Sequence, residues 1–456
     1  MPRAGSGCLS SKLKMSILIS SIINPKLLFT ADLRNKSAHK SKMDKLGRTP
    51  IRKSPRFLVF LQNRICFMGR LIFSSLPMFV SGFWAILLLC TQIEKYNRSR
   101  LVLSLFMVVT ALMFYAHCVF FNEMHSEIPV SDTFYSFGVL ASYPLFYIFL
   151  VSLTSTSQHL RRSWLLLLPA VFLSVTVGVM YALMSADETA EFITRCLYYE
   201  QFFDFTGIAH HMAIAHLVIK ISFAIIVIYV VVAGMNLLVK YDRHIKSVYS
   251  NLEGKTLISF KIFLYLFFFT SVASFAFNIV GRYHFDSTFW ALTLPSVVFS
   301  VLIFILGLLG LRQSFTFESM NEELEEQDQD SAPQSMPYER DKALAEDLAK
   351  RIEKVIEEKQ LFLQPNLKVS DLATQLCTNR VYISQAFNYV LQTSFSDYIN
   401  KKRIEYATRL ITTQPEMPVT DIAYDSGFAS LNSFYRNFKN INGCSPKVYM
   451  RKVDTT

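Results

Sequence analysis

Between residues 71 and 311 the chain alternates long apolar stretches with short polar ones, the stretches falling at 71–93, 101–121, 133–154, 164–184, 212–234, 260–280 and 289–311. A helix rises ~1.5 Å per residue, so ~20 residues cross the ~30 Å hydrocarbon layer of a bilayer, and each stretch has that length. A helix that is apolar all round belongs in lipid or in a very large core, and in lipid it satisfies its own backbone groups. The pattern therefore predicts seven membrane-spanning helices. After Leu311 the texture changes. Glu318 to Asp330 holds seven acids and no base, and Ser331, Pro333 and Pro337 follow, which reads as a solvated linker over 312–341. Leu344, Leu348, Ile352 and Ile356 then recur every four residues and predict a helix from Glu339 to Phe362. That helix is either the first of a soluble domain or a short dimerising coiled coil.

Two similar patterns close the chain. Val419 to Asp425 reads as a short helix with Ile422 and Ala423 inward, and Gly427 supplies the positive φ of a tight turn. Ser430 caps the next helix, in which Phe434 and Phe438 fall at i and i+4 as one buried stripe, with Asn432, Tyr435 and Arg436 outward. Fifty residues earlier Ala373 and Cys377 repeat the spacing of Ala423 and Gly427, Asn379 takes the cap position, and Ile383 and Phe387 repeat the core pair. Each pattern is a helix-turn-helix, at about 369–390 and 419–439, whose second helix is built to enter a DNA major groove. Between them Ser396 to Ile411, free of Pro and Gly, carries Tyr398, Ile399, Ile404, Ala407 and Leu410 at helical spacing. Such a helix is about 24 Å long, a spacer suited to recognition helices about one DNA turn, ~34 Å, apart. The fold class is all-α: a polytopic helical membrane domain over 71–311, then a soluble double helix-turn-helix domain over 342–453.

The closing segment resembles the AraC/XylS family of bacterial transcription regulators. Ile422, Ala423, Gly427, Phe428, Ser433, Phe434, Arg436, Phe438, Lys439, Gly443, Ser445, Pro446 and Tyr449 stand at that family's signature spacing, with Met450 where Arg is usual. Two departures, Cys377 at a turn position that is often Gly and Gln392 in place of the Gly of a "TG.SF" segment, bear on local turn geometry and leave the core pattern intact. The resemblance implies sequence-specific DNA binding with a linker helix between the two reading units. By the family's alignment Val381, Ser384 and Gln385 on the first recognition helix, and Leu431, Asn432, Tyr435 and Arg436 on the second, face bases. Arg380 lies outward beside them. Arginine reads guanine bidentately, which makes Arg436 the foremost base contact, with a sequence-independent phosphate clamp as the alternative. Lys401, Lys402, Arg403, Lys439 and Lys447 are assigned to phosphates or to the solvated surface. Promoter DNA, RNA polymerase and a second copy of the chain are the implied partners, and no cofactor is expected.

Composition agrees with a membrane half: 52% of the 456 residues are hydrophobic, 40 are Phe, and only 18% are charged. The net charge of +11 is uneven, since residues 1–76 hold 15 Lys/Arg against two acids. Residues 1–70 read as a basic extension without order, and the apolar run 57–67 is too short to span. The loops 94–100, 155–163 and 235–259 carry nine Lys/Arg, the alternate loops 122–132, 185–211 and 281–288 two. This places the first set, and the C-terminus after seven spans, in the cytoplasm, and the resemblance to bacterial regulators implies that the spans lie in a bacterial inner membrane. A basic tail resists crossing, so translation is expected to begin near Met68 or Met78. Seven scattered cysteines with no CxxC pair encode neither a disulfide framework nor a zinc site.

Lys220 lies one turn after His216 in the fifth predicted span, and no acid falls within any predicted span. Ionisable groups at such depth face a cavity or a partner. One reading is a pocket for an anionic ligand, with His117, Tyr115, Tyr143 and Tyr147 as further lining; the other is snorkelling of Lys220 and lipid-facing packing of the aromatic rings. His210, His211 and His216 read as interfacial rather than as a metal cluster. No P-loop, GxSxG, HExxH or kinase histidine box appears, and no enzyme is expected. The sequence thus describes a one-component regulator whose spans sense a small molecule or an envelope signal. The alternatives are a regulator that the spans merely anchor, and a transporter or membrane enzyme with a fused regulatory domain.

Overall fold

The computed structural model of the chain describes residues 55–94, 96–154, 157–280, 289–313 and 342–454. Among them the regular elements are helical, with one isolated antiparallel bridge between Tyr249 and Lys368. The N-terminal part comprises α1 (Pro55–Glu94), α2 (Arg98–Phe121), α3 (Ile128–Thr154), α4 (Ser157–Ser163), α5 (Leu168–Leu183), α6 (Ala186–Phe192), α7 (Gly207–Val248), α8 (Ile258–Val280) and α9 (Phe289–Arg312). Among the described residues seven helical segments are long and apolar enough to cross a membrane: Met68–Glu94, Arg98–Phe121, His125–Thr154, Gln158–Leu183, Gly207–Val248, Ile258–Phe275 and Leu292–Arg312.

Three details differ from the sequence pattern. Helix α1 begins at Pro55, so the run 57–67 belongs to the same helix as the first span. The fourth span bends through a 3₁₀ turn at Trp164–Leu167, and Pro169 then opens α5, where its missing N–H costs nothing. The fifth continues as one helix of 42 residues to Val248, well beyond the predicted end at 234. Residues 1–54 and 314–341, the basic tail and most of the acidic linker, lie outside the described residues.

The chain divides into two compact units, the first made of Met1–Phe146, Leu166–Val227 and Phe268–Leu308. Its helices meet at small residues, as lipid-embedded helices do when apolar burial alone cannot draw them together. Gly307 lies under the indole of Trp84, where a Cβ would come within 2.2 Å of the ring. Hydroxyls are consumed locally: Ser75 and Ser81 donate to carbonyls one turn back, and the Asn122 amide donates to Ser74 at 2.9 Å. Large apolar side chains such as Phe172 and Ile225 point outward, which suits lipid.

The second unit is Tyr147–Leu165, Ile228–Phe267 and Leu309–Thr456. It contains α10 (Lys342–Glu358), α11 (Val369–Gln375), α12 (Arg380–Gln385), α13 (Phe395–Thr413), α14 (Val419–Asp425), α15 (Leu431–Asn442) and α16 (Pro446–Asp454). Leu348, Ile352 and Ile356 of α10 close a core with Leu372, Ile383, Phe387, Phe395 and Ile399, whereas Leu344 is exposed. Helix α10 therefore packs into the core of the first helix-turn-helix. A second core joins Ile404, Ala407 and Ile411 to Ile422, Ala423, Phe428, Phe434 and Phe438. Helix α13 is the wall that both cores share.

Candidate nucleic-acid interface

Each helix-turn-helix is set by a cap and by a residue with positive φ. In the first, Asn379 Oδ1 accepts the Val381 N–H at 2.8 Å and fixes the start of α12. In the second, Ser430 Oγ accepts the Ser433 N–H at 3.3 Å and does the same for α15. The turn residues are Cys377 at φ 49° and Gly427 at φ 81°, and Gln392 stands at φ 50° after α12. Both departures from the family pattern thus occupy left-handed backbone, where glycine is the unstrained residue. Helix α12 itself is short and continues as a π turn, Ala386–Val390, that keeps Phe387 in the core.

The residues assigned to base contact lie on these two recognition helices. Val381, Asn432 and Arg436 are exposed, while Arg380, Ser384 and Gln385 are half-buried. Leu431 and Tyr435 also pack against the second core, the Tyr435 ring 5.9 Å from that of Phe434. Lys401, Lys439 and Lys447 are exposed, as phosphate contacts require. Lys402 instead meets Glu357 at 2.5 Å and Glu405 at 3.8 Å, and its hydrogen bond to Glu357 raises its pKa above the usual lysine value.

Arg403 corrects the sequence assignment outright. It is 1% exposed and reaches no surface where phosphate could lie. Its Nε donates to Phe362 O at 2.7 Å, Nη1 to Asn400 Oδ1 at 3.2 Å, and Nη2 to Gln364 O at 2.6 Å, Pro365 O at 3.3 Å and Ser250 Oγ at 3.2 Å. Burial lowers its pKa to about 10, so it stays cationic at neutral pH. The signal was present in the sequence: Ile399, Arg403, Ala407 and Ile411 recur every four residues, which puts Arg403 on the inward stripe of α13.

In the first unit a second correction concerns Asp132. The predicted span began at 133, but the helix starts at Ile128 and Asp132 is buried inside it. Its Oδ2 accepts from Tyr181 at 2.8 Å and faces His216 Nε2 at 2.9 Å, while His216 Nδ1 donates to Met212 O at 3.0 Å. Lys220 is partnered too, by Glu200 at 3.3 Å and by the Phe202 ring at 4.6 Å. Two of the other proposed lining residues, His117 and Tyr143, have partners of their own. His117 lies among Phe114, Phe121 and Tyr135, and Tyr143 bonds the Ser271 hydroxyl beside Phe223. His216 and Lys220 therefore each face an acid, Asp132 and Glu200 respectively. Between the spans, burial pushes the Cys196 thiol up to about 12. Among the described residues no group of three or more His, Cys, Asp or Glu converges on a metal position.

Residues 372–452 match the family model described as a helix-turn-helix domain. An HTH-type transcriptional regulator of Staphylococcus aureus is 33% identical over 99 residues, which are 22% of this chain and 13% of that protein. A counterpart in S. aureus strain N315 is 31% identical over 99 residues, with the same coverage. The melibiose operon regulatory protein of Escherichia coli K12 is 31% identical over 85 residues, 19% of this chain and 28% of the relative. The likeness thus spans about an eighth of the staphylococcal relatives, 13% of their length. No solved structure matches the chain. The C-terminal domain is an AraC-type helix-turn-helix domain, carried behind seven apolar helices.

Proposed function

We propose that the chain is a one-component transcription regulator of a bacterial inner membrane, with the C-terminal domain in the cytoplasm reading promoter DNA and the seven helices receiving the signal. The observation that carries this reading is the presence, on one chain, of an AraC-type domain with two capped recognition helices and of seven helices fit to span. Val381, Gln385, Asn432 and Arg436 offer donors and an apolar contact to base edges, and Lys401, Lys439 and Lys447 meet phosphates. Two copies on one operator, engaging RNA polymerase, complete the assembly. In the spans, the Asp132, Tyr181 and His216 group is costly to hold in lipid, which favours a role in receiving the signal over one in packing.

Genome-wide DNA occupancy in the native host tests the reading. Wild-type protein is expected at discrete promoters, and Gln385→Ala with Arg436→Ala is expected to lose at least roughly 30-fold there, since each good bidentate base contact is worth ~1–3 kcal/mol and two are removed. Unchanged peaks in the double variant would refute the assigned contacts. Exchanging residues 68–312 for an unrelated seven-span anchor is expected to leave a promoter output that no longer varies with growth conditions. A regulated output after the exchange would reduce the spans to an anchor.

A further inference from the structure

Helix α7 does not end where its apolar run does. Leu238, Tyr241, Ile245 and Val248 are buried at steps of three and four, so its last turns keep an inward face although Lys240, Asp242, Arg243, His244 and Lys246 make them polar elsewhere. The segment that follows meets the helix-turn-helix domain inside the second unit. Tyr249 forms the antiparallel bridge with Lys368. Ser250 is 2% exposed, and all its polar atoms are engaged. Its N–H and Oγ donate to Leu367 O at 3.1 and 2.7 Å, its carbonyl accepts from Ser396 Oγ at 3.2 Å and Asn400 Nδ2 at 3.3 Å, and its Oγ accepts from Arg403. Asn251 Nδ2 donates to Asn366 Oδ1 at 3.0 Å, and Lys246 pairs with Asp397 at 3.5 Å.

These contacts fall at the start of α11 (Lys368) and of α13 (Ser396, Asp397), and His244 lies within electrostatic reach of Arg380, the first residue of α12. In a helix-turn-helix the first residues of the recognition helix meet base edges while the preceding helix crosses the backbone, so DNA must approach along the side that these helix starts border. We infer that the last turns of α7 and the segment Val248–Asn251 are a docking surface for the first helix-turn-helix unit, and that this docking competes with promoter DNA. The occupant carries Lys240, Arg243 and Lys246 and so does not imitate the polyanion; it competes by position. Besides the buried Val248 and Tyr249 it is held by hydrogen bonds, each of modest net worth because water replaces it on opening, and by one exposed ion pair, as a contact that must open requires. A signal that shifts α7 would free the unit, which gives the proposed regulator an inhibited resting state. The inference rests on the DNA-reading function proposed above.

The test uses the full chain in membrane vesicles and a promoter fragment taken from the occupancy map. Asn251→Cys with Asn366→Cys, whose side chains are hydrogen-bonded in the docked state, is expected to form a disulfide on mild oxidation. Oxidised protein is then expected to bind the fragment at least roughly fivefold more weakly, the lower range of coupling between two sites, with reductant restoring binding and either single-cysteine variant unaffected. Ser250→Arg, which sets a second cation against Arg403, is expected to raise wild-type binding by a similar factor. Failure of the disulfide to form, or equal binding by oxidised and reduced protein, would overturn the inference. Absence of fragment binding by both the wild type and the undocked Ser250→Arg variant would instead overturn the DNA reading, while the disulfide yield would still report on the contact.

Discussion

Gly427→Ala is expected to unfold the second helix-turn-helix unit while leaving the seven apolar helices intact. Gly427 stands at φ 81°, where an L-residue costs ~1–2 kcal/mol. The larger effect is contact, because an added Cβ would lie 2.6 Å from both Leu363 Cα and Phe362 O. These are backbone atoms of a 3₁₀ turn, Leu361–Leu363, and no rotamer change can move them aside. The turn is itself pinned, since Leu361 and Phe362 are buried and Phe362 O takes the Arg403 Nε–H. Strain and displacement together should cost roughly 3–5 kcal/mol, a large share of the ~5–15 kcal/mol that holds a domain. Proteolysis of membrane vesicles in rising urea would show cleavage within 395–454 at clearly lower urea than in wild type. Equal resistance would mean that the turn can yield. The matching position of the first unit, Cys377 at φ 49°, is exposed, so its side chain meets no such obstacle.

Arg403→Ala is the second large effect. It removes the Arg403 donor from Phe362 O, Gln364 O, Pro365 O and Asn400 Oδ1, of which Gln364 O keeps the Leu367 N–H at 3.3 Å. A buried acceptor stripped of its partner costs ~1–3 kcal/mol, and water can reach some of these four, so a loss of roughly 3–4 kcal/mol is expected. Arg403→Lys should recover only part of it, because one ammonium cannot span acceptors on both sides of a planar fork. Binding separates this role from a phosphate contact. For protein that remains folded, the slope of log K against log salt should stay that of wild type, whereas loss of a phosphate contact would lower it by about one.

What the sequence made legible was whatever repeats with the period of the element. Seven apolar runs, the paired phenylalanines 434 and 438, and the caps Asn379 and Ser430 are local signals, and the structure has a helix at each run, with ends that differ, and the phenylalanines and caps as read. Cys377 and Gln392 stood out as departures because the turns demand left-handed backbone whatever residue fills them. The misreadings share one cause, charge treated as a surface label. Arg403 was assigned outward for its charge although its register pointed inward, and Asp132 was missed because an apolar window stops at the first acid. Its partners Tyr181 and His216 lie 49 and 84 residues away, a distance over which no spacing rule operates. The docking of Ser250 on Leu367 is likewise tertiary, although the spacing of Leu238, Tyr241, Ile245 and Val248 does announce an inward face on α7.

Helix α13 gives Phe395 and Ile399 to one core and Ile404, Ala407 and Ile411 to the other. Neither helix-turn-helix can swivel without tearing side chains from this common wall, so the angle between the reading heads is set by the protein and not by the operator. Such a domain measures phase as strictly as sequence. Five extra base pairs between its two half-sites would turn the second about half a revolution, to the far side of the duplex, with every base still correct, and ten would restore the face but leave it about 34 Å out of reach.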